Sequence, residues 1–249
     1  MKKRVVVIVQ ARMGSSRLPG KVLKEILGKP LLGYVIERIK MSLLISDLII
    51  ATSTQISDDA IAAYCSMHGI KFYRGSEDDV LSRYMEAAIL FEADFIVRVC
   101  ADSPLIDPVL VDEIIQDFLL KYPLCDYLSN TINQTYPLGM NIELFSFRAL
   151  QEAHLNAVLP HEREHVTPYI YCHPGRFNIC QKHYQFDLSN LRLTVDVPED
   201  FELVRLILER IYPDNPKFGL SDIVSLYNQN PKLFKINSHI RQKQVCNES

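Results

Sequence analysis

Short apolar runs alternate with helical patterns through the first half of the chain. Val5–Val9 is a continuous β-branched run, typical of a strand that is covered on both faces. Leu31–Ile39 has the spacing of an amphipathic helix. The same reasoning predicts strands at Leu48–Ile50, Ile70–Tyr73 and Phe95–Val99, and helices at Ile61–Met67, Val80–Phe91 and Pro108–Leu120. Alternating strands and helices predict an α/β fold with a mostly parallel sheet and helices on both faces.

The pattern changes in the second half of the chain, where apolar and polar residues alternate more regularly. Such alternation is typical of strands with one solvated face. We expect strands at Cys125–Asn130, Met140–Phe145, Phe177–Phe186 and Leu191–Val195, and helices at Phe147–Asn156, His161–Tyr171 and Pro198–Ile211. The chain is therefore expected to form one domain over residues 1–230, with a small mixed extension at about 125–190 and a frayed tail at 231–249.

Composition and charge narrow the classes of protein. Of the 249 residues, 48% are hydrophobic and 23% are charged, which is typical of a globular protein. The formal net charge of -3 argues against a general binder of nucleic acid or of anionic membranes. We found no apolar run long enough for a membrane span, no secretory signal and no CxxC spacing among the 6 cysteines. These features predict a cytoplasmic protein with reduced cysteines.

The loop after the first predicted strand carries the strongest chemical signal. The loop, Gln10–Lys21, contains cationic side chains, two hydroxyls and two glycines. Glycine lets backbone N–H groups approach an anion closely, and Arg and Lys neutralise its charge. A polyphosphate is the expected ligand, although the spacing matches neither a Walker A loop nor GxGxxG.

This loop and four later strings together resemble the sugar nucleotidyltransferases. Within that group, the chain more specifically resembles the cytidylyltransferases that activate keto-deoxy sugars and acylneuraminates. Among these it most resembles the SpsF-like spore coat polysaccharide biosynthesis proteins. It covers about residues 4–211 and rests on QARMGSSRLPGK at 10–21, RGSEDDVL at 74–81, DSPLID at 102–107, REHVTPY at 163–169 and LRLTVDVPED at 191–200.

The resemblance implies a Rossmann-like nucleotide-diphospho-sugar transferase fold and a reaction. A nucleotidyl group, most often CMP from CTP, is transferred to an acidic sugar with release of pyrophosphate, for surface polysaccharide biosynthesis. It also implies a Mg²⁺ cofactor and a homodimer whose contacts come from the extension. Ser16 has no His–Asp partner pattern, so a covalent intermediate is not expected.

Two aspartates at predicted strand ends are the candidate metal ligands. Asp102 follows the strand at Phe95–Val99, and Asp196 ends the strand predicted at Leu191–Val195. Mg²⁺ in proteins takes one or two carboxylates together with substrate phosphates and waters. The family places its metal ligands at these two positions. Relatives often have Gly directly before the first aspartate, where this chain has Ala101, and Gln or Thr two residues before it, where this chain has Cys100. This departure puts in doubt whether this strand end recognises the nucleotide base.

The remaining site predictions follow from the same strings. The expected catalytic residues are Arg12, Arg17, Lys21 and Asp102. Nucleotide binding is expected from Gln10, Ala11, Arg12, Gly14, Ser15, Ser16, Lys21, Thr52, Ser53, Arg74, Ser76 and Cys100. Sugar binding is expected from Asn141, Glu143, Arg163 and His165. Asp107, which precedes Pro108, is interpreted as a helix N-cap.

Three alternatives stay open at this point. The first is a guanylyl- or uridylyltransferase that acts on a sugar phosphate, which would catalyse the same type of reaction with a different nucleotide base. The second is a glycosyltransferase-like or non-catalytic protein that binds a sugar nucleotide and has the same fold. A zinc hydrolase is suggested by the HExxH pattern at His161–His165, although Pro160 and Pro168 bracket it closely and no usual third ligand follows.

Overall fold

The computed structural model describes residues 3–242 and forms a seven-stranded sheet with helices on both faces. The sheet order is β5-β4-β1-β6-β8-β7-β9, and a separate two-stranded hairpin pairs β2 with β3. The strands are β1 Val5–Gln10, β2 Glu25–Ile26, β3 Lys29–Pro30, β4 Asp47–Ser53, β5 Lys71–Gly75, β6 Phe95–Cys100, β7 Tyr127–Ser129, β8 Glu143–Ser146 and β9 Ile179–Gln181. The helices are α1 Leu31–Ile39, α2 Asp59–Met67, α3 Val80–Leu90, α4 Pro108–Lys121, α5 Phe147–Asn156, α6 Pro160–His165, α7 Pro168–Tyr171, α8 Pro198–Ile211 and α9 Leu220–Gln229.

Strands β5, β4, β1 and β6 run parallel, as the first half of the sequence predicts. Their side chains alternate between two apolar clusters. Val7 and Val9 pack with α1, α2, α4, α8 and α9, while Val6 and Ile8 pack with α3, α5 and α7. Gln10 is in register with Ala51 of β4 and with Cys100 of β6, so three strands end at one edge. Ligands bind at such an edge in open α/β sheets.

The predicted extension is smaller and more buried than its sequence pattern suggests. The strands β7 and β8 are buried along their whole length, so the expectation of one solvated face is wrong. Helix α4 covers one face, and α5 and α7 cover the other. The predicted helix at His161–Tyr171 is two short helices, because Val166 between them has a positive φ of 73°. The strand predicted at Phe177–Phe186 is confined to Ile179–Gln181.

The segment 191–196 is extended and buried but is not a strand of the sheet, so the strand predicted at Leu191–Val195 is wrong. A single parallel bridge joins Leu138 and Arg192. The φ of Gly139 is 99°, and a Cβ at this position would lie 2.5 Å from the backbone nitrogen of Thr194. Only glycine therefore allows the two segments to approach this closely.

The C-terminal segment packs on the domain as far as it is described. Phe234 is 5% exposed and Asn237 is 1% exposed. The side-chain nitrogen of Asn237 donates to the carbonyl of Arg192 at 2.9 Å and to Asp200 at 2.8 Å. The frayed tail expected from residue 231 therefore does not describe the part up to Gln242, and the rest of that predicted tail lies outside the described residues.

Candidate active site

A cavity of about 500 Å³ opens at the edge where β1 and β6 end. Most of the residues predicted for catalysis, nucleotide binding and metal binding line it, together with His165, which was predicted for sugar binding. These residues are Gln10, Ala11, Arg12, Gly14, Ser15, Ser16, Arg17, Lys21, Cys100, Asp102, His165 and Asp196. The loop Gln10–Lys21 and the two aspartates therefore share one cavity, although they come from distant parts of the chain.

Backbone hydrogen bonds bring Asp196 to Asp102 without a strand between them. The backbone nitrogen of Val195 donates to the carbonyl of Asp102 at 2.9 Å, and the hydroxyl of Thr194 donates to the same carbonyl at 3.2 Å. The segment that ends at Asp196 is thereby docked onto the turn that follows β6. Two carboxylates that are far apart in sequence thus face one point in the cavity.

The ammonium of Lys21 lies at that point. Its Nζ donates to Asp102 at 2.9 Å, to Asp196 at 2.8 Å and to the carbonyl of Val195 at 2.7 Å. Burial lowers the pKa of Lys21, but Asp102 and Asp196 outweigh burial, so the net pKa lies above its ordinary value. Lys21 is therefore charged at neutral pH.

Asp196 is surrounded by cations. Besides Lys21, Arg17 lies 3.2 Å from its Oδ2, and Arg192 donates to the same oxygen at 2.8 Å. Burial raises the pKa of Asp196, but Lys21, Arg17 and Arg192 outweigh burial, and the pKa lies below its ordinary value. Arg192 also forms a two-point contact with the fully buried Asp200, so its guanidinium is held in place.

Two carboxylates that converge on a single cation fit the needs of a divalent ion. Oxygens of Asp102 and Asp196 lie within 2.9 Å of one ammonium nitrogen, so both can reach one cation. Mg²⁺ needs few protein carboxylates when substrate phosphates complete its shell. Within residues 3–242, no cluster of three or more His, Cys, Asp or Glu side chains is placed to hold a metal without such a substrate.

Several predicted nucleotide contacts lie outside the residues that line the cavity. The side chain of Ser53 donates to the buried Asp58 at 2.5 Å, and Thr52 is fully buried in β4. Arg74 donates to the carbonyls of Ser53 and Gln55, both at 2.9 Å. The hydroxyl of Ser76 accepts from the backbone of Asp79 at 3.0 Å. The structure thus gives Ser53, Arg74 and Ser76 contacts that hold loops in shape.

Of the residues predicted to contact the sugar, one lines the cavity and three do not. His165 lines the cavity, but Arg163 points back to α3 and donates to both oxygens of Asp79, at 3.0 and 2.5 Å. Glu143 is buried, pairs with Arg98 and accepts from the hydroxyls of Tyr127 and Thr167. Asn141 precedes β8 and, like Glu143, is not among the described residues that line the cavity.

Cys100 lines the cavity as a neutral thiol, because burial raises its pKa to about 12. Its register partner Gln10 accepts a hydrogen bond from Arg98 at 3.2 Å. Asp107 accepts from the backbone of Val109 at 2.8 Å, which confirms it as the N-cap of α4.

Sequence reasoning missed several residues that line the cavity, among them Arg83, Glu164 and Gln242. Arg83 is 2% exposed and donates to the carbonyls of Ser76 and Glu77. Glu164 lies 3.7 Å from Arg12. A buried arginine on an amphipathic helix gives no sequence signal of its own.

The HExxH segment does not have the arrangement of a zinc site. The carboxylate of Glu162 is 5% exposed and accepts from the backbone nitrogens of Val158 and Leu159, both at 3.1 Å. Glu162 therefore caps the start of α6, which removes the general base that the pattern requires.

Comparisons with known proteins show the family of the chain. The chain matches the cytidylyltransferase family model over residues 6–238. It is 37% identical over 242 residues to an uncharacterized protein of Methanocaldococcus jannaschii, covering 96% of this chain and 97% of that protein. It is 32% identical to the spore coat polysaccharide biosynthesis protein SpsF of Bacillus subtilis, covering 91% of this chain and 95% of SpsF.

Two solved structures have folds similar to that of this chain. A cytidylyltransferase from Leptospira borgpetersenii superposes with a TM-score of 0.90 and is 30% identical, covering 98% of this chain and 100% of that one. A synthetase of CMP-2-keto-3-deoxy-manno-octonic acid, solved in complex with CTP, has a TM-score of 0.64 at 22% identity, covering 84% of this chain and 99% of that one. At that identity the second likeness supports the fold alone.

The sheet topology and the family match together define the class of this protein, a nucleotidyltransferase. The chain belongs to the cytidylyltransferase family, and it is a nucleotidyltransferase enzyme. The resemblance noted from the sequence is thus confirmed, and the hydrolase and non-catalytic alternatives are displaced. No helix in the described part of the chain is long and apolar enough to cross a membrane.

Proposed function

We propose that this enzyme transfers CMP from CTP to a sugar acceptor and releases pyrophosphate, with Mg²⁺ as its cofactor. The observation that carries the proposal is the meeting of Lys21 with Asp102 and Asp196 in one cavity beside the loop Gln10–Lys21. Membership of the cytidylyltransferase family favours CTP over GTP and UTP.

The residues of the loop would hold the triphosphate. Arg12 and Arg17 have side chains that are 46% and 36% exposed, so both can reach a ligand in the cavity. Ser15, Ser16 and the backbone at Gly14 supply further donors. Cations placed where charge builds on the departing pyrophosphate lower the barrier without any covalent step.

Asp102 and Asp196 would hold the metal ion. When bound, Mg²⁺ supplies positive charge for the phosphate oxygens near the reacting phosphorus. Arg192 keeps the Asp196 carboxylate in one orientation, because it contacts both Asp196 and the buried Asp200. The protein thus contributes positioning and charge.

The acceptor is proposed to be an acidic sugar of the acylneuraminate or keto-deoxy type, destined for a surface polysaccharide. SpsF, a relative, is named for spore coat polysaccharide biosynthesis. His165 lines the cavity on the side formed by α6, next to Glu164, and this wall is where we place the acceptor. A homodimer built on the extension and a cytoplasmic location are part of the same proposal.

Nucleotide binding tests the first half of the proposal. Thermal unfolding is measured with CTP, GTP, UTP and ATP, each with Mg²⁺, on the wild type, on Lys21→Ala and on the control Lys24→Ala. A ligand at a hundred times its dissociation constant adds about 2.7 kcal/mol of stability. We expect a shift with CTP that Lys24→Ala retains and Lys21→Ala loses, because Lys24 is exposed outside the cavity.

Pyrophosphate release tests the chemistry. Candidate sugars are added with CTP to the wild type, Asp102→Asn, Asp196→Asn and the control Asp214→Asn, whose aspartate is exposed between α8 and α9. An active wild type and control with both site variants reduced by more than about tenfold would support the mechanism. Activity within about twofold of the wild type in either site variant, a barrier change under about 0.5 kcal/mol, would remove that residue from it.

A further inference from the structure

The ammonium of Lys21 sits in a cradle of three oxygens. The cradle consists of Asp102 Oδ2 at 2.9 Å, Asp196 Oδ1 at 2.8 Å and the backbone carbonyl of Val195 at 2.7 Å from Nζ. An ammonium has three N–H donors, and each has one acceptor here. The Lys21 side chain is only 10% exposed, so the arrangement is sequestered from water.

The chemistry of this cradle is that of a cation site. It offers two carboxylates and one neutral carbonyl, all of them oxygen ligands of the kind that Mg²⁺ and Mn²⁺ accept. The Val195 carbonyl is held in position because the nitrogen of the same residue donates to Asp102, and because Arg192 and Asp200 fix the segment that follows. The Val195 carbonyl and the Asp196 carboxylate are therefore preorganised, and these two oxygens do not depend on Lys21 alone to face one point.

We propose that Lys21 is a placeholder cation: it fills the metal site of the nucleotide-free enzyme and is displaced when a divalent ion enters, with Val195 O as a third protein ligand of that ion. The inference rests on the proposed function, because it concerns the same site. A lysine and a divalent ion cannot both occupy a cradle whose oxygens lie within hydrogen-bond distance of one nitrogen. The displaced ammonium would then move to the triphosphate, where the loop Gln10–Lys21 already presents cations.

Charge explains why such a placeholder is useful. Without Lys21 or a metal, two carboxylates would face each other in a largely buried site, with Arg17 and Arg192 on the outer side of Asp196 only. Unpaired buried carboxylates are costly, so a cation of the chain keeps the site folded until the ligand arrives.

The test measures Mn²⁺ binding to the nucleotide-free protein, by titration calorimetry or paramagnetic resonance. The variants are Lys21→Met, which removes the ammonium, and the control Lys24→Met, which removes an exposed lysine three residues away. We expect Lys21→Met to bind Mn²⁺ about tenfold or more tightly than the wild type, and Lys24→Met to bind within about twofold. Equal or weaker binding by a folded Lys21→Met would overturn the proposal.

Two further variants test whether the gain in Mn²⁺ affinity comes from the loss of the ammonium and whether the metal binds at Asp102. Lys21→Gln retains an amide that can donate to the carboxylates, so it serves if Lys21→Met does not fold, and it should also gain affinity. The double variant Lys21→Met/Asp102→Asn should lose the gain, and a gain that persists there would place the metal elsewhere and contradict the proposal. Because no nucleotide is present, these results stand apart from CTP selection and pyrophosphate release, which test the proposed function.

Discussion

The carboxylate of Asp58, which is 1% exposed, accepts a hydrogen bond from the backbone N–H of Met13 at 2.7 Å. Its other oxygen accepts from the backbone and the hydroxyl of Ser53, at 3.1 and 2.5 Å. One buried side chain therefore ties the loop Gln10–Lys21 to the end of β4. The loop is held from outside the cavity, because Asp58 is not among the described residues that line it.

This link predicts that Asp58→Ala weakens CTP binding through the loop. The variant leaves the N–H of Met13 and the Ser53 hydroxyl without their buried acceptor, which costs about 1–3 kcal/mol of stability. We expect the dissociation constant for CTP to rise by about tenfold, since a mobile loop must be ordered again on binding.

Asp59→Ala is the matched control for this measurement. Asp59 is the next residue, and its carboxylate, 59% exposed, contacts Arg74 at the surface. The control should keep CTP affinity near that of the wild type. If Asp58→Ala binds CTP as the wild type does, the loop does not depend on this link.

Arg163 and Asp79 form a second tie, between α6 and α3. Arg163 donates to both oxygens of Asp79 and also to the carbonyl of His154 at 2.8 Å. We expect Arg163→Ala to lower the free energy of unfolding by about 1–2 kcal/mol, because the contact is bidentate but partly exposed. The shift of the melting temperature by CTP should stay as in the wild type.

A double-mutant cycle with Asp79→Ala isolates the contribution of the pair from the loss of the α3 N-cap. Arg205→Ala is the control, because Arg205 contacts Glu202 and Glu209 on the exposed face of α8 and should contribute less. A coupling between Arg163 and Asp79 near zero, with a reduced response to ligand in Arg163→Ala, would instead favour the sugar contact expected from the sequence.

The same pair predicts a dependence of stability on pH. Burial raises the pKa of Asp79, but hydrogen bonds from Arg163 and Ser82 outweigh burial, so the pKa lies below its ordinary value of 3.8. A carboxyl group whose pKa is lower in the folded state contributes stability above its unfolded pKa and loses it as the pH falls through the folded value.

The coupling between Arg163 and Asp79 should therefore be constant from about pH 7 to pH 5 and should decline below about pH 4. Urea unfolding of the four members of the cycle at several pH values measures it. A coupling that already disappears near pH 6 would mean that another group controls the contact.

The sequence predicted the first half of the fold closely, and physical reasons explain where it failed. Continuous β-branched runs such as Val5–Val9 identify central strands because such strands are buried on both faces. The run Leu191–Val195 is equally buried but meets Leu138 through one bridge, and burial alone does not distinguish a strand from a docked extended segment.

The sequence also predicted many of the residues that meet in the cavity. Strand ends and cationic loops indicated Lys21 and Asp102, because chemistry at such an edge follows from the topology. The direction of a side chain on a short helix does not follow from topology, so Arg163 was placed toward the sugar although it contacts Asp79. The packing of Asn237 was missed because a single buried amide in a polar segment leaves no periodic pattern.

Asn237 supports the last prediction. Its amide donates to the carbonyl of Arg192 and to the carboxylate of Asp200, and Arg192 in turn contacts Asp196. Asn237→Ala should lower the free energy of unfolding by about 1–3 kcal/mol, because the buried carbonyl of Arg192 loses this donor and Asp200 Oδ1 loses one of its two donors, the other being Arg192. It should also weaken CTP binding in the presence of Mg²⁺, since the support of the Asp196 carboxylate becomes looser. Ser238→Ala, at an exposed neighbour whose hydroxyl donates to the nearby carbonyl of Lys235, should change neither quantity. An Asn237→Ala protein that unfolds at the same urea concentration as the wild type would show that the C-terminal segment lies on the domain without stabilising the site.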